Sequence, residues 1–412
     1  MRVLLSSWGS RGDVEPLMGL ALQLRTIGVD VSVCAPPDFA DLAARAGVQL
    51  IPMGQSLREM LHGEKPLTPA DAPRTAANLV AMRFETVGAA AVGCDAIVAT
   101  GLMPAGVRSI AESLDIAYVC VAFAPRVIPS PEYAPLPRPG KPFPPGETDN
   151  RVLWDVDAER VNGLYRAPLN AQLAARGLPS VDDVRDHVLT RRPWLAADPV
   201  LAPLQGSFGF DVVQTGTWIL PDERPLPDDL VAFLDAGAPP VYVGFSSVRA
   251  PAGVEAVAIE AIRRHGRRVV LGRGWADLAL ADDGDDCFAV GEVNLQALFR
   301  RVAAAIHHGG AGTTTTAACA AVPQVVVPQI ADQPYWASRV ADLGIGAAHE
   351  GPEPTVDSLA AALQTALEPA THARAAQVAR EVRRDGAAVA ARQLVEEIRT
   401  RRAGREMPAS PR

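Results

Sequence analysis

Apolar positions at the start of the chain follow two rhythms. Residues 2–7 (RVLLSS) form a short run of β character, and beyond the polar glycine stretch 9–13 the apolar Leu17, Leu20, Ala21 and Leu24 recur every three to four positions. Pro16 stands near the first turn of that predicted helix, and residues 30–34 read as the next strand. Strand, helix and strand in this order make a βαβ unit, hence a parallel sheet covered by helices. Residues 96–99 and 117–123 are continuous enough to be further buried strands.

The rhythm lapses over residues 195–240, where Pro199, Pro203, Pro221, Pro225, Pro227, Pro239 and Pro240 accumulate. It then restarts with strands at 241–245, 268–271, 303–306 and 324–327 and helices at 254–265, 313–320 and 335–343. The pattern predicts an α/β protein of two doubly wound lobes, 1–205 and 241–385, joined by a connection at 206–240. Residues 386–412 follow as a helix and basic tail, with 399–412 read as disordered. Ligands of such sheets bind at the carboxyl ends of the strands, so the cleft between the lobes is the expected site. Residues 55–74 and 125–150 read as long, proline-rich loops without periodicity.

Composition narrows the function. The 39 Lys and Arg against 47 Asp and Glu give a formal net charge of −8, which argues against a nucleic-acid partner. Cys34, Cys94, Cys120, Cys287 and Cys319 are odd in number and widely spaced, as suits buried apolar residues in a reducing compartment rather than disulfides or a zinc site. No stretch approaches the roughly 18 apolar residues of a membrane helix, and MRVLLSS is too short for a signal peptide's apolar region. The expectation is a soluble, cytoplasmic protein, with nothing requiring more than a monomer.

Three motifs carry candidate chemistry. HHGGAGTT, His307 to Thr314, lies between an apolar strand and a helix. Its glycines admit close approach of a ligand, and the free N–H groups of the helix start favour a diphosphate. The alternative is a tight turn with Thr313 as an ordinary cap. A Walker loop needs Gly-Lys-Ser/Thr, and neither lysine of the chain, Lys65 or Lys141, is near. Successive residues leaving a strand diverge, so joint metal ligation by His307 and His308 is awkward, and one of them is better read as a phosphate donor. GSRGDVEP, Gly9 to Pro16, lacks the GxGxxG spacing of a nicotinamide-binding turn; its Asp13 is either a general base or a helix cap. In PQIADQPYWASRV, Asp332 and Gln333 precede Pro334 at a predicted helix start, where carboxylate and amide suit sugar hydroxyls. The acidic runs at 155–157 and 282–286 read as solvated turns.

These motifs, in this order, resemble the GT-B glycosyltransferases that use nucleotide sugars, most of all the bacterial enzymes acting on vancomycin-group glycopeptides. MRVLLSSWGSRGDVEPL, LAADPVLAPL, TGTWILPDERPLPDDL, CFAVGEVN, HHGGAGTT and PQIADQPYWASRVADLGIG all resemble that group. The resemblance implies an acceptor lobe followed by a nucleotide-sugar lobe. It places His308, Gly310, Gly312 and Thr313 at the donor diphosphate, with Ser10 and Ser246 reaching it from the facing loops. Gly291 to Val293 fall at the pyrimidine base, Asp332 and Gln333 at the donor sugar, and Asp13 at the catalytic base.

It further implies an inverting transfer of a hexose or deoxyhexose from a dTDP- or UDP-sugar to a hydroxyl of a bulky glycopeptide, polyketide or phenolic aglycone, with neither cofactor nor metal. The rival readings are a nucleotide-sugar 2-epimerase and a non-catalytic protein of the same fold.

Overall fold

The computed structural model describes residues 1–62, 68–138, 141–247, 250–275, 277–280 and 284–406. Lys65, Asp282, Asp283 and residues 407–412 lie outside these. The chain forms two compact units: Met1–Asp198 with Leu204–Leu220 and Arg384–Arg412, and Pro199–Pro203 with Pro221–Arg383.

The first unit is built on seven parallel strands: β1 Arg2–Trp8, β2 Asp30–Ala35, β3 Gln49–Pro52, β4 Ala96–Gly101, β5 Ala117–Ala122, β6 Trp194–Leu195 and β7 Val213–Gln214. Their order is β3-β2-β1-β4-β5-β6-β7. β1 runs centrally, with Leu4 opposite Ser32 on one side and Ile97 on the other. All but its first residue are buried, because helices cover both faces of a parallel sheet.

The second unit has six parallel strands: β8 Val241–Gly244, β9 Val269–Gly272, β10 Cys287–Val290, β11 Ala304–His307, β12 Gln324–Val326 and β13 Gly346–Ala348. They lie in the order β10-β9-β8-β11-β12-β13. In both sheets the strand order reverses between the first strand and the fourth, β1 and β4 in one, β8 and β11 in the other. This is the switch point at which doubly wound sheets open a crevice for ligands. GSRGDVEP follows β1, and HHGGAGTT spans the end of β11 and the turn beyond it.

Several expected boundaries shift. The 206–240 connection is no uniform linker: β7 belongs to the first unit and helix Asp228–Asp235 to the second. Helix Gly386–Glu406 runs through residues expected to be disordered, and it packs on helix Arg11–Thr26 of the first unit. Residues 55–74 contain helix Leu57–His62 and the start of helix Ala72–Met82. Pro16 is the sixth residue of its helix, beyond the first turn. The acidic pair near 155 is not a solvated turn. Both residues lie within helix Asn150–Ala174, and Asp157 is buried against Arg138, whose guanidinium donates to it at 2.7 and 3.1 Å. Of the second acidic run, Asp286 sits beside β10 and pairs with Arg263 at 2.7 Å, which together with hydrogen bonding holds its carboxyl below the usual range.

Candidate functional site

In the first unit, Asp13 is the third residue of helix Arg11–Thr26, and its Oδ2 accepts the Ser10 N–H at 2.9 Å while its own N–H donates to the Ser10 carbonyl. The capping role open from the sequence is therefore real, exercised from the third position rather than the cap itself. A Cβ on Gly9 would lie 2.2 Å from that carboxylate oxygen, so only glycine lets the chain leaving β1 fold under Asp13.

In the second unit the candidate anion-binding turn is built from β11 outwards. Helix Ala311–Cys319 starts at Gly310, which carries no side-chain cap, and its first turn holds no acidic residue. The cap is therefore not Thr313. Its neighbours Thr314 and Thr316 turn their hydroxyls back onto the Gly310 and Gly312 carbonyls. The N–H groups of the first turn and the positive end of the helix dipole are left to a ligand.

The glycines differ in what they do. Gly309 has φ +88°, and a Cβ there would meet Val326 at 2.5 Å and the Gln333 carbonyl at 3.2 Å; a Cβ on Gly310 would meet His308 Nε2 at 2.5 Å. Gly312 is exposed, and nothing lies within 4 Å of where its Cβ would be. The fold needs the first two, whereas the bare Gly312 keeps space clear over the helix start.

The two histidines divide labour. The imidazole of His307 is buried and accepts the Gly309 N–H at Nδ1 (3.0 Å), so its proton is on Nε2 and is donated to Gln324 Oε1 at 2.9 Å. The Gln324 amide then reaches the Thr314 carbonyl at 3.3 Å, tying strand, turn and helix together. Burial lowers the His307 pKa to about 4, against a partial offset from Gln324. Burial and then His307 press His308 down to about 3, the Gly244 backbone giving partial support. Both rings are neutral at pH 7, so His308 would meet an anion as a dipole rather than a cation. The ring planes stand at 84°, with centroids 6.3 Å apart.

The other expected donor residues follow the carboxyl ends of neighbouring strands. Ser246, after β8, has φ +54°, and its carbonyl accepts the Trp275 N–H at 2.8 Å. Gly291, after β10, is exposed, and Val293 packs its side chain against the core. Asp332 precedes helix Gln333–Asp342, and its Oδ2 accepts the Trp336 indole N–H at 2.7 Å. Gln333 is buried, with its Oε1 committed to the N–H groups of Gln329 (2.7 Å) and Ile330 (3.0 Å). What Gln333 can offer a sugar is its amide NH2.

Residues 3–130 match the glycosyltransferase family 28 N-terminal domain, and residues 279–397 the erythromycin biosynthesis protein CIII-like C-terminal domain. Glycosyltransferase GtfE of Amycolatopsis orientalis is 58% identical, with 100% of both chains covered. The vancomycin aglycone glucosyltransferase of the same organism is 56% identical over 97% of this chain and 98% of its own. This chain is a GT-B family 1 glycosyltransferase of the vancomycin-group glycopeptide branch. The solved kitacinnamycin glycosyltransferase shares its fold at a TM-score of 0.74 and 20% identity, over 96% of this chain and 98% of that one. Glycosyltransferase VinC, solved with dTDP, has a TM-score of 0.64 at 23% identity, covering 98% and 100%.

Sequence reasoning about this glycosyltransferase missed the residues that hold its site in shape. Gln324 is one, signalled by a lone amide in an otherwise apolar strand. Trp336, four residues after Asp332, is another. Asn294 is a third: it caps helix Leu295–Leu298 and donates to the Asp222 and Arg224 carbonyls at 2.8 Å, pinning the stretch that carries Gly291.

Proposed function

We propose that this glycosyltransferase moves a hexose or deoxyhexose from a dTDP- or UDP-sugar to a hydroxyl of a bulky aglycone of the glycopeptide type, with inversion at the anomeric carbon. The observation that carries the reading is the uncapped, acid-free helix start behind Gly310. The relatives support it: one is a vancomycin aglycone glucosyltransferase, and another, 48% identical over 92% of this chain, a dTDP-epi-vancosaminyltransferase.

In this reaction the acceptor oxygen bonds to the anomeric carbon as the bond to the diphosphate breaks. Charge growing on the leaving oxygens is met by the N–H groups of Ala311, Gly312 and Thr313 and by neutral His308, donors already in place before the reaction. Ser10 and Ser246 add hydroxyls to the same diphosphate. The backbone from Gly291 to Val293 receives the base. Asp332, held by Trp336, and the Gln333 amide take sugar hydroxyls.

A carboxylate of ordinary pKa is a weak base toward a free hydroxyl. It becomes adequate once the sugar is oxocarbenium-like and the attacking O–H has turned acidic, so Asp13 takes the proton late. In this reading the enzyme works as a monomer in the cytoplasm, with which its five cysteines, none of them in a disulfide, agree.

Asp13→Asn tests the assignment, because the Asn amide oxygen still accepts the Ser10 N–H but takes no proton. Transfer should fall by roughly 10²–10⁴-fold with thermal stability kept. A variant folded like the wild type and transferring at full rate would remove Asp13 from the mechanism. Mass spectrometry over a matrix of donors and aglycones identifies the substrates. Nucleoside diphosphate released only when an aglycone is present excludes the epimerase.

A further inference from the structure

Arg83 stands outside all the motifs above. It opens the π-helical turn Arg83–Val87 that follows helix Ala72–Met82, and only 1% of its surface is exposed. A buried cation is normally paired with an acid, since its desolvation is costly. Among the described residues no carboxylate pairs with Arg83. Its fork instead donates to three successive stations of one loop: the carbonyls of Leu102 (2.6 Å), Met103 (2.7 Å) and Ala105 (3.3 Å).

That loop links β4 to helix Val107–Ser113 and needs holding. Met103 has φ +26°, a strained value for a residue with a side chain, and it is flanked by Gly101 at φ +86° and Gly106 at φ +95°. A Cβ on Gly106 would meet the Phe84 ring at 2.9 Å, so the same π-helical turn also braces the loop's far end. At its near end the Leu102 N–H donates to the Trp8 carbonyl at 3.2 Å, directly before the Gly9 to Asp13 stretch. The loop thus starts against the end of β1, at the switch point of the first sheet where the Gly9 to Asp13 stretch also begins, and Leu102 is 46% exposed.

We propose that Arg83 is a positioning residue for the acceptor. By holding residues 102–105 in a strained shape, it presents Leu102 as a fixed apolar wall next to Asp13, against which the aglycone is aligned. This rests on the reading that the first unit takes the acceptor. A planar guanidinium reaches three carbonyls at once, which an ammonium on a lysine stem does not. Burial lowers its pKa only to about 10, so it stays charged at neutral pH.

The test is Arg83→Lys beside Leu102→Ala, with initial rates measured against aglycone and donor separately. Arg83→Lys should raise the aglycone KM about tenfold, the usual scale for lost charge-assisted bonds, with the donor KM within twofold of wild type. Leu102→Ala, at an exposed position, should raise the aglycone KM in the same direction without lowering Tm. An Arg83→Lys enzyme with lowered Tm but wild-type aglycone KM would overturn the proposal. If Arg83→Lys does not fold, Leu102→Ala decides: an unchanged aglycone KM rejects the wall. Failure of the underlying acceptor reading shows separately, as a wild-type enzyme that glycosylates no aglycone.

Discussion

A single imidazole sets the shape of the HHGGAGTT turn. His307 is held neutral by burial, its pKa lowered from 6.5 to about 4, so the unfolded chain takes up that proton before the folded one does. The native state is accordingly undiminished by this group above pH 6.5 and loses stability as pH falls through the window down to about 4. The slope there is about 1.4 kcal/mol per pH unit for a fully differential proton. Urea unfolding at pH 7, 6 and 5 should give a shallower acid dependence for His307→Gln than for wild type. Equal slopes would mean that His307 is not the neutral tie described here. HHGGAGTT suggests an anion-binding turn by its letters, but not which histidine is tied into the fold. That division depends on Gln324, seventeen positions away and buried beside His307.

Among the elements, the glycine turn separates residues the fold requires from one whose Cβ would meet nothing. Gly312→Ala should fold with wild-type Tm, since its Cβ meets nothing, while calorimetry with dTDP shows affinity reduced about tenfold or more. Gly310→Ala should lose stability as well, because the new methyl runs into His308. The segment 125–150 teaches a related point. Its prolines and lack of period correctly exclude helix and strand over most of its length. They do not reveal that Arg138 on Asp157, the Trp154 indole on the Tyr133 carbonyl and Arg160 on the Pro142 carbonyl fix it to helix Asn150–Ala174. Partners so far apart leave no local periodicity. Asp155 and Asp157 were misread because two acids inside a long helix look like a turn until the arginine that buries one of them is known.

At the scale of the whole molecule, the two doubly wound sheets were legible because buried parallel strands are continuous apolar runs. The partly exposed edge strands β3 and β10 escaped, as did the shortest ones: β13 is Gly-Ala-Ala, and β6 and β7 have two residues each. Unit membership was harder, since the chain passes between the units more than once. Its return is marked by two glycines: a Cβ on Gly386 would lie 2.4 Å from the Gly216 carbonyl carbon and 2.5 Å from the Thr217 oxygen. These are backbone atoms with little freedom to move. Gly386→Ala should therefore cost about 1–3 kcal/mol, read as a lowered Tm in thermal denaturation.

That crossing bears on how the enzyme is made. Helix Gly386–Glu406 packs on helix Arg11–Thr26, yet it is synthesised long after it. Domains ordinarily fold in the order of their synthesis. Here helix Arg11–Thr26 waits, with one flank bare, until the strands of both sheets have been translated. A stop codon placed before Gly386 would consequently do its damage at helix Arg11–Thr26.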